Sequence, residues 1–143
     1  MAELIPPPSP RGVRVARYIF WSAGAWGVVI LLFLLVDPDR AVGPGATGRP
    51  DFYYGFAGVG MAFQIAFWVI GGDPVRFRPM MLVSVCEKFF YVGSLTALLV
   101  ARRAPERMTG AAVIDGALGL LFLLAWWLTR PSRCSSPGRE ARH

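Results

Sequence analysis

Four polar side chains lie where the surrounding sequence gives them no water. Glu87 and Lys88 fall inside MMLVSVCEKFFYVGSLTALLV, Gln64 inside FYYGFAGVGMAFQIAFWVI and Asp115 inside AAVIDGALGLLFLLAWWL. A charge placed in hydrocarbon costs about 2.5–3.5 kcal/mol on insertion scales, so each needs a partner, water or a purpose. Several chemistries fit. Gln64, Ser84, Glu87, Lys88 and Tyr91 are candidates for a pocket that takes a ligand, a lipid or a quinone, and Glu87 alone for a proton-carrying carboxylate in a small transporter. Ser84 and Lys88, four residues apart, have the spacing of a nucleophile and its base, but nothing nearby supplies an oxyanion hole. The same residues also suit a purely structural role, a polar cluster that fixes how the helices register.

The elements that must position them are apolar runs of membrane-spanning length. They cover about residues 17–36, 52–70, 80–100 and 111–128. At ~1.5 Å per residue each can cross a hydrocarbon core ~30 Å thick. Lipid offers no partner to backbone N–H and C=O groups, so each span must be a helix, and the short alternating segments of a β-barrel are absent. The chain has 143 residues, 55% of them hydrophobic and only 17% charged, where a soluble domain carries about a quarter charged. The expected fold is therefore all-α, a four-transmembrane-helix bundle over residues 17–129. It is flanked by a Pro/Arg-rich segment, 1–16, and a basic tail, 130–143, both expected to be disordered. The first span reads as retained, since its apolar run is too long for a signal core and ends in Val36-Asp37-Pro38 without a cleavage pattern.

Helical geometry then sorts the polar residues. Ser84, Glu87, Tyr91 and Ser94 share one face of the third span, so that stripe is expected to point into the bundle. Lys88 is ~100° from Glu87 around the helix, which makes the two neighbours in sequence but not an automatic ion pair, and its long stem can snorkel toward the near interface. Glu87 lies ~10 Å and Gln64 ~9 Å from the same membrane edge, a depth at which they could hydrogen-bond. Asp115 lies ~6 Å from the opposite edge, out of reach of Glu87, with Arg102, Arg103, Tyr53 and Tyr54 as its expected partners. The two short connections make the second and third spans, and the third and fourth, antiparallel neighbours.

Charge sets orientation and narrows the partners. With the N-terminus inside, the inner segments carry nine arginines and the outer loops five, which places both termini in the cytoplasm. The formal net charge of +6 follows from that bias, and no aromatic-plus-basic platform points to nucleic acid. Arg76 and Arg78 could clamp a lipid phosphate, although topology alone accounts for them. Small-residue stripes (Gly58, Ala62 and Ala66; Ala112, Gly116 and Gly119; Gly24 and Gly27) offer close packing within the monomer, or with a second copy or a membrane partner. Trp126, Trp127, Tyr53 and Tyr54 read as interfacial anchors. Cys86 and Cys134 make no disulfide framework, and the single histidine, His143, is terminal, so neither a metal site nor a cofactor is indicated. Fourteen arginines against one lysine point to a GC-rich bacterial genome and hence to a bacterial inner membrane.

The four spans, the loop Gly72-Asp73-Pro74-Val75-Arg76-Phe77-Arg78-Pro79, the Glu87-Lys88 pair and Asp115-Gly116 together resemble the small four-helix bacterial membrane proteins grouped as DoxX-like. The resemblance covers the layout of residues 15–130 and implies a bundle, with no function attached. Small multidrug transporters are similar in size, but carry their key glutamate in the first helix, where this chain has none. Sterol-isomerase-like membrane domains use intramembrane histidines, also missing here.

Overall fold

The structure, a computed structural model, describes residues 8–131 except 42, 44, 46 and 47. It is an all-α bundle: α1 (Pro10–Val36), the short α2 (Pro38–Ala41), α3 (Pro50–Gly72), α4 (Arg78–Val100), a 3-10 turn (Glu106–Met108) and α5 (Thr109–Leu128). Four of these helices are long and apolar enough to cross a bilayer, and the protein is a multi-pass membrane protein.

Prolines set the starts of the long helices. Pro10 and Pro50 occupy the first helical position of α1 and α3, and Pro79 the second of α4, within the first turn where a missing N–H costs nothing. At α1, Ser9 Oγ also accepts from the Gly12 N–H at 3.1 Å. That cap corrects the expected disorder over residues 10–16. Residues 10–16 are helical, and α1 extends two turns beyond its apolar run, because Pro10 initiates a helix rather than preventing one. Residues 1–7 and 132–143, with Cys134 and His143, lie outside the described residues. The loop 73–77 is a folded turn closed by Asp73, whose Oδ1 and backbone O accept from Arg76 N and Phe77 N.

The helices pack in the order α3, α1, α5, α4. The expected α4–α5 neighbour pair is present, but α3 and α4 share few contacts despite the short loop between them. Glycine explains the difference. A Cβ on Gly24, Gly27 or Gly71 would overlap the Trp68, Gln64 or Trp21 side chain across the α1–α3 interface. Trp21 and Trp68 seal that interface by donating Nε1–H to each other's carbonyl, both at 3.3 Å. Between α3 and α4, by contrast, stand two large rings, Phe56 and Tyr91, stacked with centroids 5.8 Å apart. The stripe of Gly58, Ala62 and Ala66 does not form the monomer's packing seam: Gly58 and Ala62 are exposed. Gly116 likewise has open space where a Cβ would be.

The buried core occupies one end of the bundle, the end carrying Pro10, Gly72, Arg78 and Leu128. Phe20, Phe67 and Phe122 are fully buried there, Phe20 stacked on Phe122 at 4.3 Å and Phe67 edge-on to Phe122 at 4.8 Å. Ala16, Ala23, Ile70, Met81 and Ala125 complete the cluster.

Candidate functional site

Above this aromatic plug the bundle is hollow. A cavity of about 420 Å³ runs between the helices toward the end carrying α2 and the 3-10 turn, and Gln64, Glu87, Lys88, Tyr91 and Asp115 all border it. Its apolar wall includes Trp26, Ile30, Phe56 and Leu118. Arg107 borders it near the loop end, where its guanidinium fills the space a Cβ on Gly43 would need; Gly43, at φ +116°, holds a conformation that only glycine adopts freely.

Lys88 is the centre of the polar group. Met81, Ser84, Lys88 and Leu95 form the buried line of α4, which puts the lysine rather than Glu87 on the inward face. Glu87 and Tyr91 flank it half-buried, and Ser94 is exposed. The expected stripe is thus rotated by about one residue. Lys88 does not snorkel to the interface; its side chain is 7% exposed and its Nζ lies 5.6 Å from the centre of the Phe67 ring.

The lysine reaches both acids. Its Nζ is 3.0 Å from Asp115 Oδ1 and 3.4 Å from each Glu87 carboxylate oxygen. The pairing with Asp115 overturns the expectation that this carboxylate stands apart with Arg102, Arg103, Tyr53 or Tyr54. The α4–α5 register explains it. A Cβ on Gly119 would lie 3.3 Å from Lys88 Cβ, so those two residues are level, and Asp115 is one turn of ~5.4 Å further along, within reach of the lysine stem. The helical path also continues outward past Ala111 through Thr109 and the 3-10 turn, which sets Asp115 deeper than a span starting at 111 implies. Tyr53 is engaged elsewhere, donating its hydroxyl to Leu34 O at 2.6 Å.

Two further expected partnerships do not form. Gln64 Nε2 donates to Gly60 O in its own helix at 2.9 Å, and its amide packs on Gly27 instead of meeting Glu87. Ser84 Oγ donates to Met80 O at 3.0 Å, and among the described residues no hydrogen bond joins it to Lys88, so no nucleophile–base pair is assembled. Nor do three metal-ligating side chains converge among the described residues.

At the plugged end the arginines act as helix caps. Arg17 donates to Gly71 O and Gly72 O at the end of α3. Arg78 donates to Trp126 O near the end of α5 and stacks on the Trp126 ring at 4.4 Å, which occupies one of the two residues proposed to hold a phosphate. Arg76 is exposed, its guanidinium 5.4 Å from the Phe77 ring.

Sequence reasoning missed Gly119, Phe67 and Arg107 as parts of this site. Only Gly119 had a legible signal, its i+4 spacing from Asp115 on one helix face.

The fold and site define the class: a four-helix membrane protein with a charged cluster bordering a partly open cavity between its helices. The chain matches no protein-family model, no curated protein and no solved structure.

Proposed function

We propose that this protein is a membrane-embedded binding component that admits a small hydrophobic ligand to the cavity between its helices. The cavity carries the proposal. A cluster needed only for helix register would be packed on all sides, as the Phe20, Phe67 and Phe122 plug is. Here the charged residues border about 420 Å³ of space, within the range of small-ligand sites. The sparse α3–α4 contact offers a side entrance from lipid, screened by Phe56 and Tyr91. With both termini in a bacterial cytoplasm, the hollow end faces outward and the plug inward. The DoxX-like layout belongs to the proposal only as a shared arrangement of spans.

One observation favours a second role, proton-coupled transport at Glu87: among the described residues its Oε2 is buried without a hydrogen bond, although Lys88 Nζ lies 3.4 Å away. Transport also requires the plug to open, and Phe20, Phe67 and Phe122 are fully buried in it.

Thiol labelling tests the cavity. In a background with Cys86 and Cys134 replaced by serine, a cysteine at Ala111 should react with N-ethylmaleimide roughly tenfold faster than one at Ala125, in the plug. Equal rates would mean that the cavity is closed to small molecules, and the binding role would fall.

A further inference from the structure

The charge inventory of the cluster identifies its ligand class. Two carboxylates, Glu87 and Asp115, face one ammonium, Lys88. Fully ionised, the group carries a net charge of −1 within the span of the membrane, where an uncompensated charge is costly. Among the described residues, Lys88 is the cation that forms ion pairs with these two acids. On α1 the neighbours are Trp26, Gly27 and Ile30, on α3 Gln64 and Phe67, and on α4 Tyr91, none of them charged. Arg107 borders the same cavity, but it precedes Asp115 by eight residues, about 12 Å along the helix, and sits against the Gly43 loop. A proton or a cation from outside can supply the compensating charge beside the two acids.

The geometry shows where it goes. Lys88 is close to Asp115, at 3.0 Å, and at the outer limit of hydrogen bonding to Glu87, at 3.4 Å. Glu87 is the less firmly held acid: among the described residues its buried Oε2 has no hydrogen bond and meets Lys88 Nζ only as an ion pair at 3.4 Å. Trp26, Phe56 and Tyr91 border the same space, and aromatic rings attract a cation.

We infer that the cavity binds a hydrophobic amine in its cationic form, and that the ammonium group takes the place of a proton shared by the Glu87 and Asp115 carboxylates. This rests on the cavity being a ligand site. No covalent bond changes: the carboxylic acid releases its proton to solvent as the ammonium arrives, and the charge of the cluster is zero before and after. A proton competes with the ligand, so affinity rises with pH by up to tenfold per unit while the site is protonated and levels off once it is not.

The test uses the full chain in detergent and three probes of one shape: 1-naphthylmethylamine, 1-naphthalenemethanol and 1-naphthoate. Binding is followed by calorimetry across a pH series, and proton release by a pH indicator in weak buffer. The amine should bind at least about tenfold more tightly than the alcohol. It should release up to one proton per amine bound, and its affinity should climb with pH. Glu87→Gln should abolish the amine preference, the proton release and the pH dependence. Asp115→Asn, which also neutralises the cluster, should do the same and guards against misfolding of the first variant. If amine and alcohol bind equally and no proton appears, the cavity remains a ligand site and the inference of a cation–proton exchange is overturned. If the naphthoate binds best, it is overturned too. If no probe binds although Ala111 labels rapidly, both the inference and the binding role for ligands of this size are overturned.

Discussion

The two ends of the bundle are built on opposite principles. At the terminal end, eight residues from α1, α3, α4 and α5 form one buried cluster, the tryptophans bond reciprocally and arginines cap the ends of α3 and α5. At the loop end, the buried apolar residues are scattered, Leu31, Ala57, Leu95 and Ala112 among them, and space remains between the helices. In lipid, helices gain little from hiding apolar surface and associate through packing and polar contacts. The filled end therefore carries most of the packing that holds the helices together, and the end with the cavity carries less. Lys88 stands where the two meet, above Phe67 and beside both acids.

The largest effect should come from that junction. Lys88→Met leaves Glu87 and Asp115 facing each other without a cation. Removing one partner from a buried ion pair costs about 3–5 kcal/mol, and a loss of that order is expected here. Unfolding in mixed micelles of Lys88→Met alone and combined with Glu87→Gln and Asp115→Asn isolates the charge: the deficit should shrink once both carboxylates are gone. A deficit of the same size in the triple variant would mean that the lysine acts through its stem and not its charge.

A pair of phenylalanines tests the two ends directly. Phe122→Ala empties the centre of the plug and should cost roughly 2 kcal/mol. That is below the 3–5 of a water-soluble core, because the transfer contribution is weak in a membrane. Phe56→Ala, at the α3–α4 seam, removes a ring that is 50% exposed and should cost under about 0.5 kcal/mol. It should also speed entry of naphthylmethylamine measured by stopped-flow fluorescence. Similar costs for both substitutions would remove the distinction between the filled and hollow ends.

The bundle was legible because the bilayer leaves so few choices. The apolar runs at 52–70, 80–100 and 111–128 became α3, α4 and α5 within two residues at each end. The positions of the polar residues were legible only in part. Gln64, Glu87, Lys88 and Tyr91 border one cavity, Ser84 does not, and Asp115, expected to stand apart, borders the same space. Which of them touch depends on quantities that no single helix encodes. One is the rotation of α4 that turns Lys88 inward. The other is the α4–α5 register that sets Gly119 level with Lys88 and puts Asp115 one turn away. A depth counted from the edge of an apolar run is uncertain by about a turn, because helices continue past their apolar residues, as α1 does from Arg17 back to Pro10.

The smallest effect tests that register. Gly119 and Gly116 are three residues apart on α5, and only one is crowded. Around Gly116 nothing lies within 4 Å of where a Cβ would stand, whereas at Gly119 it would meet Lys88 Cβ at 3.3 Å and Phe89 Cε2 at 3.4 Å. Replacing a helical glycine with alanine is worth about 0.5–1 kcal/mol in backbone entropy where space allows. Gly116→Ala should therefore stabilise the protein by about that amount. At Gly119 the Phe89 ring can turn aside, but Lys88 Cβ is fixed to the α4 backbone, so the helices must separate by a few tenths of an ångström and draw Asp115 away from Lys88 Nζ. Gly119→Ala should gain nothing or lose up to about 0.5 kcal/mol, and its amine affinity should shift while that of Gly116→Ala does not. Paired thermal unfolding curves read the contrast. Equal gains at the two positions would show that the α4–α5 spacing is soft, and that the 3.0 Å contact between Lys88 and Asp115 does not depend on the absence of a side chain at Gly119.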